Sequence, residues 1–216
     1  MGRHLVPVML RCEGKSCCII GGGAVADRKA KSLLGSGAAL TVISPTITRG
    51  LQAMLENNQL RWIKRPYREG DLQGAFLVYA ATDDPEVNDD VMREARRRSI
   101  LVNVADHSEK GDFITPGVVR RGRLVLSVST SGAGPSVSAA ITSKLEETFG
   151  LEYEAYLDFM YEMRTRIKGR VPDPAVRARL LRRLAYSGIL EQIRGGRFAE
   201  WTKPEMDRWI AENQEE

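Results

Sequence analysis

Short apolar runs recur through the first half of the chain, and most are followed by a stretch whose apolar positions return at helical spacing. Ser16–Ile20 is one such run and ends in three glycines. Ala24–Leu34 follows it, with Ala26, Ala30, Leu33 and Leu34 on one side of a helix. Leu40–Ile43 predicts a second strand, closed by Ser44-Pro45, and Thr48–Asn57 a second helix. Leu60–Ile63, Ala75–Ala81 and Leu101–Val104 predict three more strands. Asp84–Arg98 reads as a helix capped by Asp83 or Asp84. Strands without a polar face are buried on both sides. A parallel sheet covered by helices provides that burial, so the first half predicts an α/β fold.

The pattern changes after Asp106. Phe113–Val119 and Leu124–Ser129 flank the basic turn Arg120-Arg121-Gly122-Arg123 and predict a hairpin with an interface role. Pro135 opens a helix, with Gly132 and Gly134 in the loop before it. From Val137 onward the chain reads as helix, broken at Pro172 and Pro174 and again at Gly195-Gly196. The expected division is a nucleotide domain over residues 1–113, a linking strand segment over 114–147 and a helical region over 148–216. No run approaches the ~18 apolar residues of a membrane span.

Composition adds little to this picture. The 43% apolar and 28% charged residues are those of an ordinary soluble globular protein. A net charge of +4 favours an anionic ligand but is too weak to argue for nucleic acid. Cys12, Cys17 and Cys18 lack the spacing of a redox or zinc site and read as reduced, buried thiols, from which a cytoplasmic location follows. The first residues lack a sustained apolar core of a leader. Val6 stands where a myristoylation signal beginning at Gly2 requires Ser or Thr. His4 and His107 lie far apart with no cluster of ligating side chains, so no resident metal is expected.

The chemistry-bearing motif is Gly21-Gly22-Gly23-Ala24-Val25-Ala26, which fits G-x-G-x-x-A between a predicted strand and a predicted helix. Gly21 permits the tight turn, Gly23 lets the backbone approach a pyrophosphate, and Ala26 allows close helix–strand packing. The amides of Ala24 and Val25 then face the anion at the helix N-terminus. A Rossmann-type dinucleotide domain is the reading. One feature departs from the pattern. The end of the second strand, which usually supplies a carboxylate to the ribose, carries Ser44, Pro45 and Thr46 instead. No carboxylate marks NAD there and no adjacent arginine marks the 2′-phosphate of NADP; Arg49, a few residues later, could reach the corner, but its simpler reading is a solvated helix charge.

Four blocks in order resemble the siroheme-synthase dehydrogenase family. They are the Pro7–Gly37 stretch with GGGAVADRKAKSLLGSG and its Arg28-Lys29 pair, Ala80–Asp84 with Val87-Asn88, Val102–Asp106, and Ser127–Pro135. The resemblance implies oxidation of precorrin-2 to sirohydrochlorin with NAD as hydride acceptor. It implies a homodimer built from a Rossmann domain, a dimerisation strand segment and a small C-terminal helical domain. Some members also insert ferrous iron, which would make iron a second substrate; a non-catalytic NAD-sensing module is the rival from another class. Cofactor contacts carry over to Ala24 and Val25 after the glycines and to Pro45 and Thr46 after the second strand; Gly21, Gly22 and Gly23 of the motif, Ser44 at the strand end and Thr82, just beyond the carboxyl end of Ala75–Ala81, complete the expected cofactor site. The essential aspartate of the family corresponds to Asp106, whose expected place is the carboxyl edge of the sheet after Leu101–Val104. His107 is a weaker candidate, because neighbours on an extended chain face opposite ways. Thr130 aligns with a serine that some bifunctional members phosphorylate, with Ser129 and Ser131 as competing alignments. The implied substrate is an anionic tetrapyrrole with many carboxylates. The arginines of the hairpin (Arg120, Arg121, Arg123) and of the tail suit it, whereas the tail lacks the aromatics of a nucleic-acid patch.

Overall fold

A computed structural model of the chain describes residues 5–105, 107 and 109–214. Two compact units divide it, residues 1–115 and 116–216.

The first unit is built on five parallel strands, β1 (Ser16–Ile20), β2 (Ala39–Ile43), β3 (Arg61–Ile63), β4 (Leu77–Ala80) and β5 (Leu101–Val104). Their order across the sheet is β3-β2-β1-β4-β5. Consecutive residues of β1 serve opposite layers. Cys17 and Ile19 pack with Ala26, Ala30 and Leu51 of the helices α1 (Ala24–Leu33) and α2 (Arg49–Glu56). Cys18 and Ile20 pack with Val91 and Ala95 of α3 (Pro85–Arg97). Helices on both faces bury the central strands β1, β4 and β5 almost completely, which is why these runs are mostly apolar, whereas the edge strand β3 keeps an exposed Arg61. Register brings the last residues of the strands into line: Ile63 beside Ile43, Ile43 beside Ile20, Ile20 beside Ala80, Ala80 beside Val104. One carboxyl edge results, and chain order reverses there between β1 and β4. That is the place where open α/β sheets bind ligands.

One buried charge sits in this unit. Glu94 of α3 is 1% exposed. Tyr67 Oη donates to its Oε2 at 2.5 Å, the Gly70 amide to the same oxygen at 3.0 Å, and Arg98 Nε to Oε1 at 2.7 Å. Burial alone would raise this carboxyl's pKa; the three donors outweigh it and hold the pKa below its ordinary value. The same contact and its own burial push the Tyr67 phenol up. Arg65 and Asp71 form a two-pronged pair in the same connection. Together they clamp the irregular β3–β4 segment onto α3, which has no strand ladder to satisfy its polar groups.

The second unit begins with the hairpin β6 (Gly117–Arg121) and β7 (Leu124–Val128). Arg120 and Arg121 lie inside β6, so the turn is only Gly122-Arg123 and not the four residues Arg120–Arg123 that the sequence suggests. Gly122 has φ +52°, as a two-residue hairpin turn requires. The residues 113–116 are not strand. The helices are α4 (Pro135–Thr148), α5 (Glu152–Arg170), α6 (Pro174–Ala185), α7 (Ile189–Arg194) and α8 (Lys203–Gln214). The breaks at Pro172, Pro174 and Gly195-Gly196 fall where expected. Two further breaks, at 149–151 and 186–188, carried no proline signal. Phe159, Met163, Ile167, Leu180, Leu184, Met206 and Ile210 form a core among α5, α6 and α8. Helix α4 contributes no buried residue, and its Val137 and Ile141, one turn apart, are exposed. Among the described residues no helix is long and apolar enough to cross a membrane.

Candidate dinucleotide site

The three glycines leave β1 at the carboxyl edge, and each is required for a different reason. Gly21 has φ +120°, and a Cβ there would lie 2.2 Å from the Ala81 carbonyl oxygen. The end of β1 therefore sits against the end of β4. A Cβ on Gly22 would fall 1.9 Å from the Thr46 carbonyl oxygen and 2.8 Å from Ser44 Oγ. Gly23 has extended backbone (φ −82°), and a Cβ there would meet nothing within 4 Å. The first two glycines answer to the protein's own packing. Only the third faces open space.

Backbone hydrogen bonds hold the turn in this shape. The Gly21 amide donates to Ile43 O at 3.0 Å, and the Thr48 amide to Gly22 O at 3.0 Å. Helix α1 then starts with no side chain capping it, whereas α2 is capped by Thr48 and α3 by Asp84. Its first amides face outward beside the exposed Ala24 and half-buried Val25. An open backbone step next to uncapped helix amides fits a pyrophosphate, since the orphan donors and the helix dipole both favour an anion there.

The other predicted residues gather around this turn. Ser44 is buried beneath Gly22 and its carbonyl accepts from Trp62 Nε1 at 2.9 Å; Pro45 and Thr46 are exposed at the corner. Thr82 lies two residues beyond the end of β4, but its hydroxyl is committed locally. It lies 2.9 Å from both the Asp84 carbonyl and Asn88 Oδ1. Asn88 Oδ1 also accepts from the Thr82 amide at 3.2 Å, while its Nδ2 donates to Thr82 O at 3.0 Å. The buried Asn88 thus fixes the loop after β4. Sequence reasoning quoted this residue without assigning it a role; the signal was a polar residue on the inward side of an amphipathic helix.

Asp106 lies outside the described residues. The segments on either side of it are firmly tied. The Ala105 amide donates to Ala80 O at 2.8 Å. Asp112 returns alongside β5, its amide donating to Val102 O at 2.7 Å and its Oδ2 accepting from the Val102 amide at 3.0 Å. Asn103 Nδ2 donates to Phe113 O at 2.8 Å, and Lys110 pairs with Asp89 at 2.9 Å. His107 is half exposed and faces Glu109 at 3.1 Å.

Most of the arginines read as substrate ligands are engaged within the fold. Arg121 donates to the Phe149 and Glu146 carbonyls near the end of α4. Arg123 pairs with Asp158 and stacks on Tyr161. Arg166 and Arg170 share Asp207; Arg177 and Arg179 donate to backbone carbonyls. Arg183 is also engaged. Among the described residues, the side chains of Arg120, Arg164, Lys168 and Arg182 have no such partner. The Thr130 hydroxyl bonds within its own loop, to the carbonyl and amide of Gly134. The three cysteines are buried and unpaired. Burial pushes the thiols of Cys17 and Cys18 up to about 12 and about 11, which leaves them unreactive. Among the described residues no three His, Cys, Asp or Glu side chains group as metal ligands do.

Strand order, glycine turn and uncapped helix define a Rossmann-type dinucleotide-binding protein. Residues 8–117 match the family described as "Putative NAD(P)-binding". Among curated proteins, the chain is 33% identical over 205 residues to a siroheme synthase of Chromobacterium violaceum, covering 95% of this chain and 43% of that one. It is 35% identical over 195 residues to a siroheme synthase of Pseudomonas paraeruginosa, covering 90% and 42%. The chain thus spans less than half the length of the curated relatives it matches. A solved structure of "SirC, precorrin-2 dehydrogenase" covers 98% of this chain and is itself covered completely, with a TM-score of 0.73 and 29% identity. The chain belongs to this NAD(P)-binding family, shared with the siroheme synthases and precorrin-2 dehydrogenase.

Proposed function

We propose that this chain oxidises precorrin-2 to sirohydrochlorin in siroheme biosynthesis, with NAD as the hydride acceptor. The observation that carries the reading is the end-to-end correspondence with SirC, in which neither chain is left with an unmatched domain. The open Gly23 step supports the cofactor assignment. When bound, the nicotinamide dinucleotide supplies a two-electron acceptor. The chain's own part is to seat the pyrophosphate on the amides of Ala24 and Val25 and to keep the adenosine side at Ser44, Pro45 and Thr46. Thr82 and Asn88 shape the opposite wall.

Loss of hydride from the macrocycle leaves a proton to be removed as conjugation extends. A carboxylate positioned at the end of β5 is suited to accept it, and Asp106 is the residue we assign. The pairing of Asp112 with Val102, and of Asn103 with Phe113, supports this assignment by holding both ends of the segment that contains it. The working form is a homodimer assembled through residues 114–147, which gives helix α4, none of whose residues is fully buried, a partner.

The test is an absorption time course with precorrin-2 and NAD, followed by addition of ferrous ion. Sirohydrochlorin forming before metal is added is the expected result. Asp106→Ala is expected to lower turnover at least ~100-fold, the scale of general-base removal, while NADH still binds. Unchanged turnover in that variant would remove Asp106 from the mechanism. NADH binding without any oxidation of precorrin-2 by the native chain would make it a nucleotide-sensing module.

A further inference from the structure

The corner of the site that receives the adenosine ribose has the wrong charge for a strict NAD enzyme. Discrimination against a 2′-phosphate normally comes from a carboxylate at the end of the second strand, which bonds the 2′-hydroxyl and repels a phosphate. Here β2 ends in Ser44, Pro45 and Thr46. The nearest acid on α1, Asp27, lies with its carboxylate against Gly50, where a Cβ would fall 2.4 Å from Oδ2. It pairs with Lys31, and its Oδ1 is sealed from solvent. Asp71, on the β3–β4 connection, is occupied by Arg65 and the Arg68 amide. Neither acid is available to a ribose.

Cations stand there instead. Arg49 is the first residue of α2, next to Thr48, whose amide bonds Gly22 O at 3.0 Å. Its side chain is exposed and, among the described residues, has no hydrogen-bond or ion-pair partner. Lys64 directly follows β3, and its Nζ lies 5.4 Å from the centroid of the Trp62 ring, whose Nε1 bonds Ser44 O. Trp62 packs with the α1–α2 layer, so Lys64 stands on the same face of the sheet as the start of α2. One unpaired guanidinium, one ammonium and the start of a helix therefore flank a corner that lacks a usable carboxylate.

We infer that this site accepts the 2′-phosphorylated dinucleotide, NADP(H), alongside NAD(H), and that Arg49 is the residue that holds the phosphate. The inference rests on the dinucleotide reading of the glycine turn. Arginine suits the role because its planar fork pairs with two phosphate oxygens at once.

Equilibrium titration of the native full chain with NADH and then NADPH, followed by nicotinamide fluorescence, tests it. Dissociation constants within about tenfold of one another are expected, with NADPH affinity falling more steeply as salt is raised. In Arg49→Gln the ratio of the NADPH to the NADH constant is expected to rise about tenfold, because a single charge-assisted contact is lost. A native preference for NADH above about 100-fold, or a ratio unmoved by Arg49→Gln, overturns the inference and leaves the dinucleotide site standing. Failure to bind either nucleotide overturns both.

Discussion

Gly22 and Gly23 are neighbours, yet the structure gives them opposite consequences on substitution. In Gly22→Ala the new methyl would lie 1.9 Å from the Thr46 carbonyl oxygen, where ordinary contact begins near 3.4 Å. The obstacle is backbone at the start of the β2–α2 loop, which the Thr48–Gly22 hydrogen bond holds in place. Relief requires a shift of about 1.5 Å in a packed corner, which we place at about 3 kcal/mol, the upper end of ordinary overpacking. The thermal midpoint of the sheet unit should drop by about 10 °C. In Gly23→Ala the methyl meets nothing, and the backbone is already extended, so stability should stay within about 1 kcal/mol of the parent. The same methyl would occupy the space that a pyrophosphate needs. Losing close approach to the helix amides costs about 2 kcal/mol of charge-assisted bonding, or about 30-fold in NADH affinity. Circular dichroism melts and NADH fluorescence titrations separate the two effects. A folded Gly23→Ala protein that binds NADH as tightly as its parent would refute the placement of the pyrophosphate.

The remaining predictions concern stability and assembly. Glu94→Gln keeps the shape of a side chain 1% exposed but removes the charge that three donors address, at a cost of about 2 kcal/mol near neutral pH. Because the folded-state pKa is lowered, that stabilisation is present above the ordinary value of 4.5 and is lost as pH falls through the folded one. The gap between variant and parent in urea midpoint should therefore narrow between neutral pH and acid; a constant gap contradicts the assignment. Ile141→Asp, on the unburied α4, should leave circular dichroism unchanged and convert a dimer to a monomer in sedimentation. A dimer that survives this change is assembled through another surface.

What could be read from the chain alone was whatever local pattern controls. Short, mostly apolar runs disclosed all five parallel strands, because a strand covered on both faces has few polar positions. Thr48, Asp84 and the prolines marked helix starts, since caps and fixed φ act within a turn. The strand–glycine–helix sequence located the glycine turn between β1 and α1 for the same reason. The hairpin turn was drawn too wide, because arginines resemble turn residues only in polarity; the positive φ of Gly122 and the register of β6 against β7 decided it. The division of labour among the glycines was also tertiary. Gly22 is constrained by Thr46, which lies far along the chain and reaches it only because β1 and β2 pair in parallel. The arginines show the same limit most clearly. Their count suggested a broad substrate-binding patch, but Asp158, Asp207 and helix-end carbonyls take up most of them. A charge is free or committed according to what the fold brings beside it, and that depends on distance in space and not on spacing in sequence.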